Sequence, residues 1–266
     1  MNLSQGNLTI LETCPRLFQH TVLEQLAVPQ RGEVWEKMQL GSQFHQLMQQ
    51  RSQQLPIEAI AAADPDLRRW FEAVEAQSAD LFPTAGEAWT DSEHVRTMDW
   101  MGHTLVGVYD YVVLRSASAQ ILDWKTYPKP VDSRRLQQSW QSRLYPLLLA
   151  NSSDYSPDVI EMRYWFFQGS DEDQPQMLRF KSSAGAIAET KAALTERLTR
   201  LNLWLETYEL TGQPFPQTDV RQTCETCSFA VRCDRVNKPA IESNLSDLSD
   251  LIVATTWDSI EEVAVN

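Results

Sequence analysis

Two apolar runs in this chain each carry an acid where a buried strand should have none. LVGVYDYVVL (Leu105–Leu114) holds Asp110, and ILDWK (Ile121–Lys125) holds Asp123, with Lys125 two residues further on. A carboxylate in apolar surroundings is costly unless a cation or hydrogen-bond donors compensate it. Two such acids on adjacent segments suit a hard divalent ion, which takes oxygen ligands. A lysine beside them suits phosphate chemistry: its ammonium holds an attacking water and offsets developing negative charge. The plain alternative is a buried Asp–Lys salt bridge. For one Asp that alternative is the stronger reading; for Asp, Asp and Lys on one strand face, the chemical reading is.

Other residues join them. His45 lies in GSQFHQLMQQR, a helical stretch whose Phe44, Leu47 and Met48 mark a packed face; a lone helix histidine is more often structural than a ligand. Gln141 and Tyr145 are four apart in LQQSWQSRLYPLLL and so share a helix face. Together they have the groups to hydrogen-bond a phosphate or base, although on their own an amphipathic helix edge is the stronger reading. The four cysteines are Cys14, Cys224, Cys227 and Cys233, the last three in CETCSFAVRC. A Cys-x2-Cys pair suits a zinc ion or an iron–sulfur cluster, and spacing alone does not decide between them. Cys14 as a fourth ligand would tie the two ends of the chain together.

These residues need a scaffold to bring them together. Strand side chains alternate faces, which groups Val106, Val108, Asp110, Val112 and Leu114 on one strand and Ile121, Asp123 and Lys125 on the other. The short link Arg115–Gln120 predicts a hairpin. Pairing Leu114 with Ala119 would place Asp110 opposite Asp123, where a cation turns repulsion into ligation. Helical periodicity is expected over Thr13–Leu26, Gly32–Gln53, Asp66–Leu81, Ser133–Ala150 and Ser183–Leu210. Strands are expected from Glu87 to Lys125, then over Val159–Phe167 and Met177–Phe180. The order predicts an α/β domain with a central mixed sheet flanked by helices.

Composition narrows the classes. A chain of 266 residues that is 42% hydrophobic, with nine tryptophans, seven tyrosines and nine phenylalanines, supports a sizeable core. It has neither a bilayer-length apolar stretch nor a signal-peptide pattern, so no membrane association and a cytoplasmic location are expected. The net charge of −13 argues against a basic surface that coats DNA. The charge is uneven, however. The segment after Lys238 has six acids and no further base, whereas Asp123–Arg143 gathers Lys125, Lys129, Arg134, Arg135 and Arg143. A domain over 8–237 followed by an acidic, flexible tail over 238–266 is the expected organisation.

GSQFH, GVYD, ILDWK and Q-x3-Y, in this order and spacing, resemble the RecB-type nucleases of the PD-(D/E)XK superfamily. CPRLF with the distal C-x2-C-x5-C resembles their iron–sulfur subgroup, which includes AddB-type nucleases and CRISPR-associated RecB-like exonucleases. The resemblance implies a restriction-endonuclease-like core whose N- and C-terminal helical regions are stapled by an iron–sulfur cluster. It implies a metal-dependent deoxyribonuclease acting in DNA repair or recombination. His45, Asp110 and Asp123 would hold Mg2+ or Mn2+, Lys125 would be the catalytic lysine, and Gln141 and Tyr145 would contact DNA. The four cysteines would hold a [4Fe–4S] cluster, with zinc as the alternative. Glu93 stands where many relatives place an acid. The chain has no G-x4-G-K-[ST] phosphate loop, so any ATP motor would belong to a partner, such as a helicase or another repair subunit. A noncatalytic DNA-binding or scaffold subunit and a zinc-stapled adaptor remain as alternative readings.

Overall fold

A computed structural model describes residues 1–26, 32–76, 82–83, 86–130, 132–168 and 175–235. The acidic segment 238–266 lies outside the described residues. In chain order the elements are β1 (Asn2–Leu3), α1 (Gln5–Thr13), α2 (Pro15–Phe18) running into a π-helical turn (Gln19–Leu23), α3 (Glu33–Ser52), α4 (Glu58–Ala61) and α5 (Pro65–Glu75). There follow β2 (Trp89–Trp100), β3 (His103–Arg115), β4 (Ser118–Pro128), α6 (Ser133–Gln137), α7 (Trp140–Asn151), β5 (Ile160–Gln168), β6 (Gln176–Lys181), α8 (Ala184–Thr211) and α9 (Gln222–Glu225).

The expected α/β architecture is present: one mixed sheet with helices on both faces. The strand order is β1-β3-β4-β5-β6, with β2 on the other edge of β3. β1 runs parallel to β3 and β4 parallel to β5, whereas the other pairs are antiparallel. On one face α1, α7 and α8 pack Leu8, Leu144, Leu148 and Leu198 against Leu105, Tyr109, Ile121, Met162 and Tyr164. On the other, α3 and α5 pack Phe44, Leu47 and Trp70 against Tyr111, Val113, Leu122, Trp124 and Phe167. β5 feeds both cores with alternate residues from Tyr164 to Phe167, which explains the unbroken YWFF run there.

Several boundaries differ from the periodicity. The expected helix over Thr13–Leu26 is broken at Cys14, which is extended at φ −163°. Pro15 requires this, because its ring disfavours a helical conformation in the residue before it. An additional helix, α1, precedes the break, closed by a reciprocal cap between Ser4 and Asn7. The expected helix over Ser133–Ala150 splits at Gln138–Ser139, where the Ser139 side chain accepts from Ser142 N and starts α7. Among the described residues no helix is long and apolar enough to cross a membrane.

Candidate active site

The hairpin register is the one the sequence suggests. Leu114 pairs with Ala119 and Tyr111 with Leu122. There the ladder stops, one step before Asp110 would meet Asp123. Beyond it β4 leaves β3 and continues along β5 as far as Lys125 before its register shifts. The far end of the same β3 edge is taken by β1, at Thr104 and Leu105. Residues 106–110 of that edge therefore have no strand partner among the described residues, and the candidate site lies at the end of this gap.

Side-chain alternation slips at the same point. Leu105, Tyr109 and Val112 all reach the core under α7, whereas Tyr111 and Val113 reach the core under α3. Asp110 sits at the slip, so the expected single face running from Val106 through Asp110 to Leu114 is not kept. On β2, between the pairs Ser92–Tyr111 and His94–Tyr109, Glu93 has φ +50°. A non-glycine residue there is strained and marks a re-aimed side chain. The Ser52 hydroxyl at the end of α3 donates to Ser92 at 2.6 Å, tying that turn of β2 to the helix.

The result is a compact donor set. Nitrogen or oxygen atoms of His45, Glu93 and Asp110 lie within 4.8 Å of one another, the one such grouping of three or more His, Cys, Asp or Glu among the described residues. Trp124 holds two of them through its peptide groups. Its N–H donates to Asp110 Oδ2 at 2.6 Å, and its carbonyl oxygen lies 3.0 Å from His45 Nε2. The carbonyl is an acceptor only, so Nε2 carries the proton that it donates. His45 Nδ1 faces Asp110 Oδ1 at 3.4 Å. With the imidazole neutral, that sets a nitrogen lone pair beside a carboxylate, and this mixed N/O set fits a divalent ion. α3 approaches closely enough because residue 41 is glycine: a Cβ there would sit 3.0 Å from Thr126 Oγ1.

Asp123 and Lys125 lie deeper, each side chain 1% exposed. They share a face with Ile121 as expected, on the side of α7. Lys125 Nζ is 2.9 Å from Asp123 Oδ1, and Gln141 Nε2 donates to Asp123 Oδ2 at 2.6 Å. The ammonium also lies 5.8 Å from the ring centres of Tyr127 and Tyr164. Burial, and secondarily the charge of Asp123, push the Tyr164 phenol well above its ordinary pKa, so it remains a neutral donor. Its hydroxyl pairs with Ser142 at 2.7 Å. Tyr145 is fully buried against Tyr109, whose hydroxyl donates to the Tyr145 carbonyl at 2.8 Å. Of the two residues expected to contact DNA, Gln141 is thus directed at Asp123 and Tyr145 at the core.

A family model described as the PD-(D/E)XK nuclease superfamily matches residues 2–234. The chain belongs to that superfamily. A solved structure titled "Putative exonuclease", from Eubacterium rectale, is similar at 11% identity, with 91% of each chain covered and a TM-score of 0.55. At that identity the likeness shows the fold. Another, titled SSO0001, is matched at 13% identity over 89% of this chain and 87% of that chain; its TM-score of 0.38 carries no argument. No curated protein matches. The chain carries a D-x-K sequence at Asp123-Trp124-Lys125, with Asp110 one strand away. Glu93 is the residue that sequence reasoning undervalued. Its signal was the resemblance, in which many relatives place an acid there; the backbone turn that aims it had none.

The four cysteines are unpaired and line one pocket, together with Leu17, His20 and Phe229. The two ends of the nuclease domain meet here through ordinary hydrogen bonds. Arg16 N donates to Pro216 O at 3.0 Å, Arg16 Nε to Phe215 O at 2.6 Å, and Phe215 N to Gln19 Oε1 at 2.8 Å. That polar seam joins the two ends. Among the described residues no group of three thiols falls within 4.8 Å. Burial raises Cys227 and Cys233 above the ordinary thiol range; the Phe229 N–H and Arg16 respectively oppose it, and each neighbouring thiol adds a smaller upward push.

Proposed function

We propose that the protein is a Mg2+- or Mn2+-dependent deoxyribonuclease. The observation that carries this reading is the convergence of His45, Glu93 and Asp110 beside a buried Asp123–Lys125 pair. His45, Asp110 and Asp123, with Glu93 added, would hold the metal. The ion supplies Lewis acidity toward a phosphodiester oxygen and a nucleophilic water at neutral pH. Asp123 keeps Lys125 charged and oriented, and the ammonium offsets charge that accumulates on the phosphate. Gln141 fixes the free rotation of the Asp123 carboxylate. Exposed Arg134, with Arg135 and Arg143 on α6 and α7, offers positive charge to guide a strand.

The name of the Eubacterium rectale structure favours an exonuclease mode, and we place the activity in DNA repair or recombination, with a helicase or another repair subunit as partner. The all-thiolate set at Cys14, Cys224, Cys227 and Cys233 suits a [4Fe–4S] cluster, with zinc as the alternative.

The test is an assay on end-labelled single- and double-stranded DNA with Mg2+, Mn2+ or EDTA. Cleavage with either metal, its loss in EDTA, and a fall of at least about a hundredfold in Asp110→Asn and Lys125→Met are expected. Undiminished cleavage in folded Asp110→Asn and Lys125→Met would refute the assignment.

A further inference from the structure

One group in the cysteine pocket has no part in the nuclease reading. His20, in the π-helical turn after α2, is 3% exposed. Its Nε2 lies 3.7 Å from Cys233 Sγ and its Nδ1 lies 2.9 Å from Glu24 Oε2. The ring packs on Phe229, 5.0 Å between centres. Glu24 is itself fixed: Gln19 Nε2 donates to it at 2.7 Å, and Arg232 approaches to 3.5 Å. Burial alone would raise the Glu24 carboxyl, yet the bonds from His20 and Gln19 and the charges of His20 and Arg232 hold it below its ordinary value.

The side chains thus form a directed chain, carboxylate to imidazole to sulfur, that ends on one of the four thiols. Packing alone would need the ring stack and not the aligned nitrogens. A buried ring nitrogen aimed at a sulfur, with the other nitrogen fixed by a carboxylate, is how proteins orient a ligand from outside the coordination sphere.

We propose that His20, oriented by Glu24, is a positioning residue that hydrogen-bonds Cys233 Sγ and holds that sulfur on a metal centre bound by the four cysteines. The inference rests on the four cysteines being metal ligands, but not on which metal they hold. With Cys233 as a thiolate, Nε2–H donates to its sulfur while Glu24 fixes the other ring nitrogen. The hydrogen bond holds the Cys233 side chain in place, so sulfur leaves the metal more slowly. It also lowers the sulfur lone pair in energy, so sulfur-to-metal charge-transfer absorption moves to shorter wavelength.

The test uses the full chain purified anaerobically, with iron, sulfide and zinc measured first. Wild type, His20→Ala, His20→Gln, Glu24→Gln and the packing control Phe229→Leu are compared in two ways. One measurement is the rate of metal loss to a chelator; the other is the charge-transfer band, read on the cluster or after loading with Co2+ alone. His20→Ala should lose metal about tenfold faster or more, with its band shifted to longer wavelength. Glu24→Gln should move both readings in the same direction by less. His20→Gln, which keeps an N–H donor, should recover part of each.

An unshifted band in His20→Ala, with metal loss no faster than in Phe229→Leu, would overturn the inference while leaving the cysteine site standing. Zinc in the wild type, with the His20 effects intact, would keep the inference and remove the iron–sulfur assignment. A wild-type chain with no metal at the cysteines would overturn both.

Discussion

At the end of the β3–β4 ladder, three of the four candidate ligands are fixed by partners that belong to the folded core. Asp110 is held by a peptide N–H, His45 by a peptide carbonyl, and Asp123 by Gln141 and Lys125. At the cysteine pocket, by contrast, the thiols are half-exposed. Cys224, Cys227 and Cys233 ride on turns and the four-residue α9, and Cys14 sits at a break between helices. The sheet organises its site before any ion arrives. A metal bound at the cysteine pocket would hold these turns, and the raised thiols of Cys227 and Cys233 would release protons as it entered. On the proposed reading, the carboxylate site suits a metal that comes and goes with substrate, and the cysteine site one that stays.

The largest expected effect tests the claim that the sheet site is built into the core. Lys125→Met leaves the Asp123 carboxylate buried beside an apolar side chain and should cost roughly 3–5 kcal/mol by urea denaturation. Adding Asp123→Asn should recover much of it. A loss under about 1 kcal/mol would mean that water reaches the pair and that the site is not preorganised.

Metal removal breaks the symmetry from the other side. Stripping the cysteine pocket should lower the thermal midpoint by about 10 °C, the effect of roughly 3 kcal/mol in a domain this size. Removing divalent ions from the sheet site should stop cleavage and move the midpoint by less than about 2 °C. Scanning calorimetry with and without each metal separates the two; equal shifts would erase the distinction.

A smaller effect probes how tightly α7 closes over the β3 edge. A Cβ at Gly107 would meet Leu148 Cδ1 at 2.7 Å and the Tyr145 ring at 3.0 Å. Gly107→Ala should cost about 1–3 kcal/mol by overpacking, read as a lowered urea midpoint. The smallest effect concerns Glu24. Its folded pKa is lowered, so its contribution is present above the ordinary carboxyl value and fades as pH falls through the folded one. Glu24→Gln should therefore weaken the protein at pH 7 by less than about 1 kcal/mol, and its urea midpoint should converge on wild type below about pH 4.

Much of this arrangement was legible in residue types. The Leu114–Ala119 register followed from a short link between two apolar runs, and the shared face of Asp123 and Lys125 followed from strict alternation. The slip at Asp110 did not follow, because alternation assumes a regular strand and the strained turn at Glu93 has no glycine or asparagine to announce it. Tyr145 was misplaced for a related reason. Helical spacing grouped it with Gln141, but Gly107 lets α7 approach so closely that its ring is sealed. α1 escaped notice because its cap uses Asn7 where the usual signal is Glu or Gln.

The peptide of Trp124 has a consequence for how this site can change over time. Its indole is buried among Phe167 and its neighbours, whereas its N–H and C=O align Asp110 and His45. Every amino acid except proline brings the same two groups. Drift at position 124 can alter how firmly the protein folds, but it has almost no means of erasing the alignment, which is written in a part of the chain that nearly all codons share.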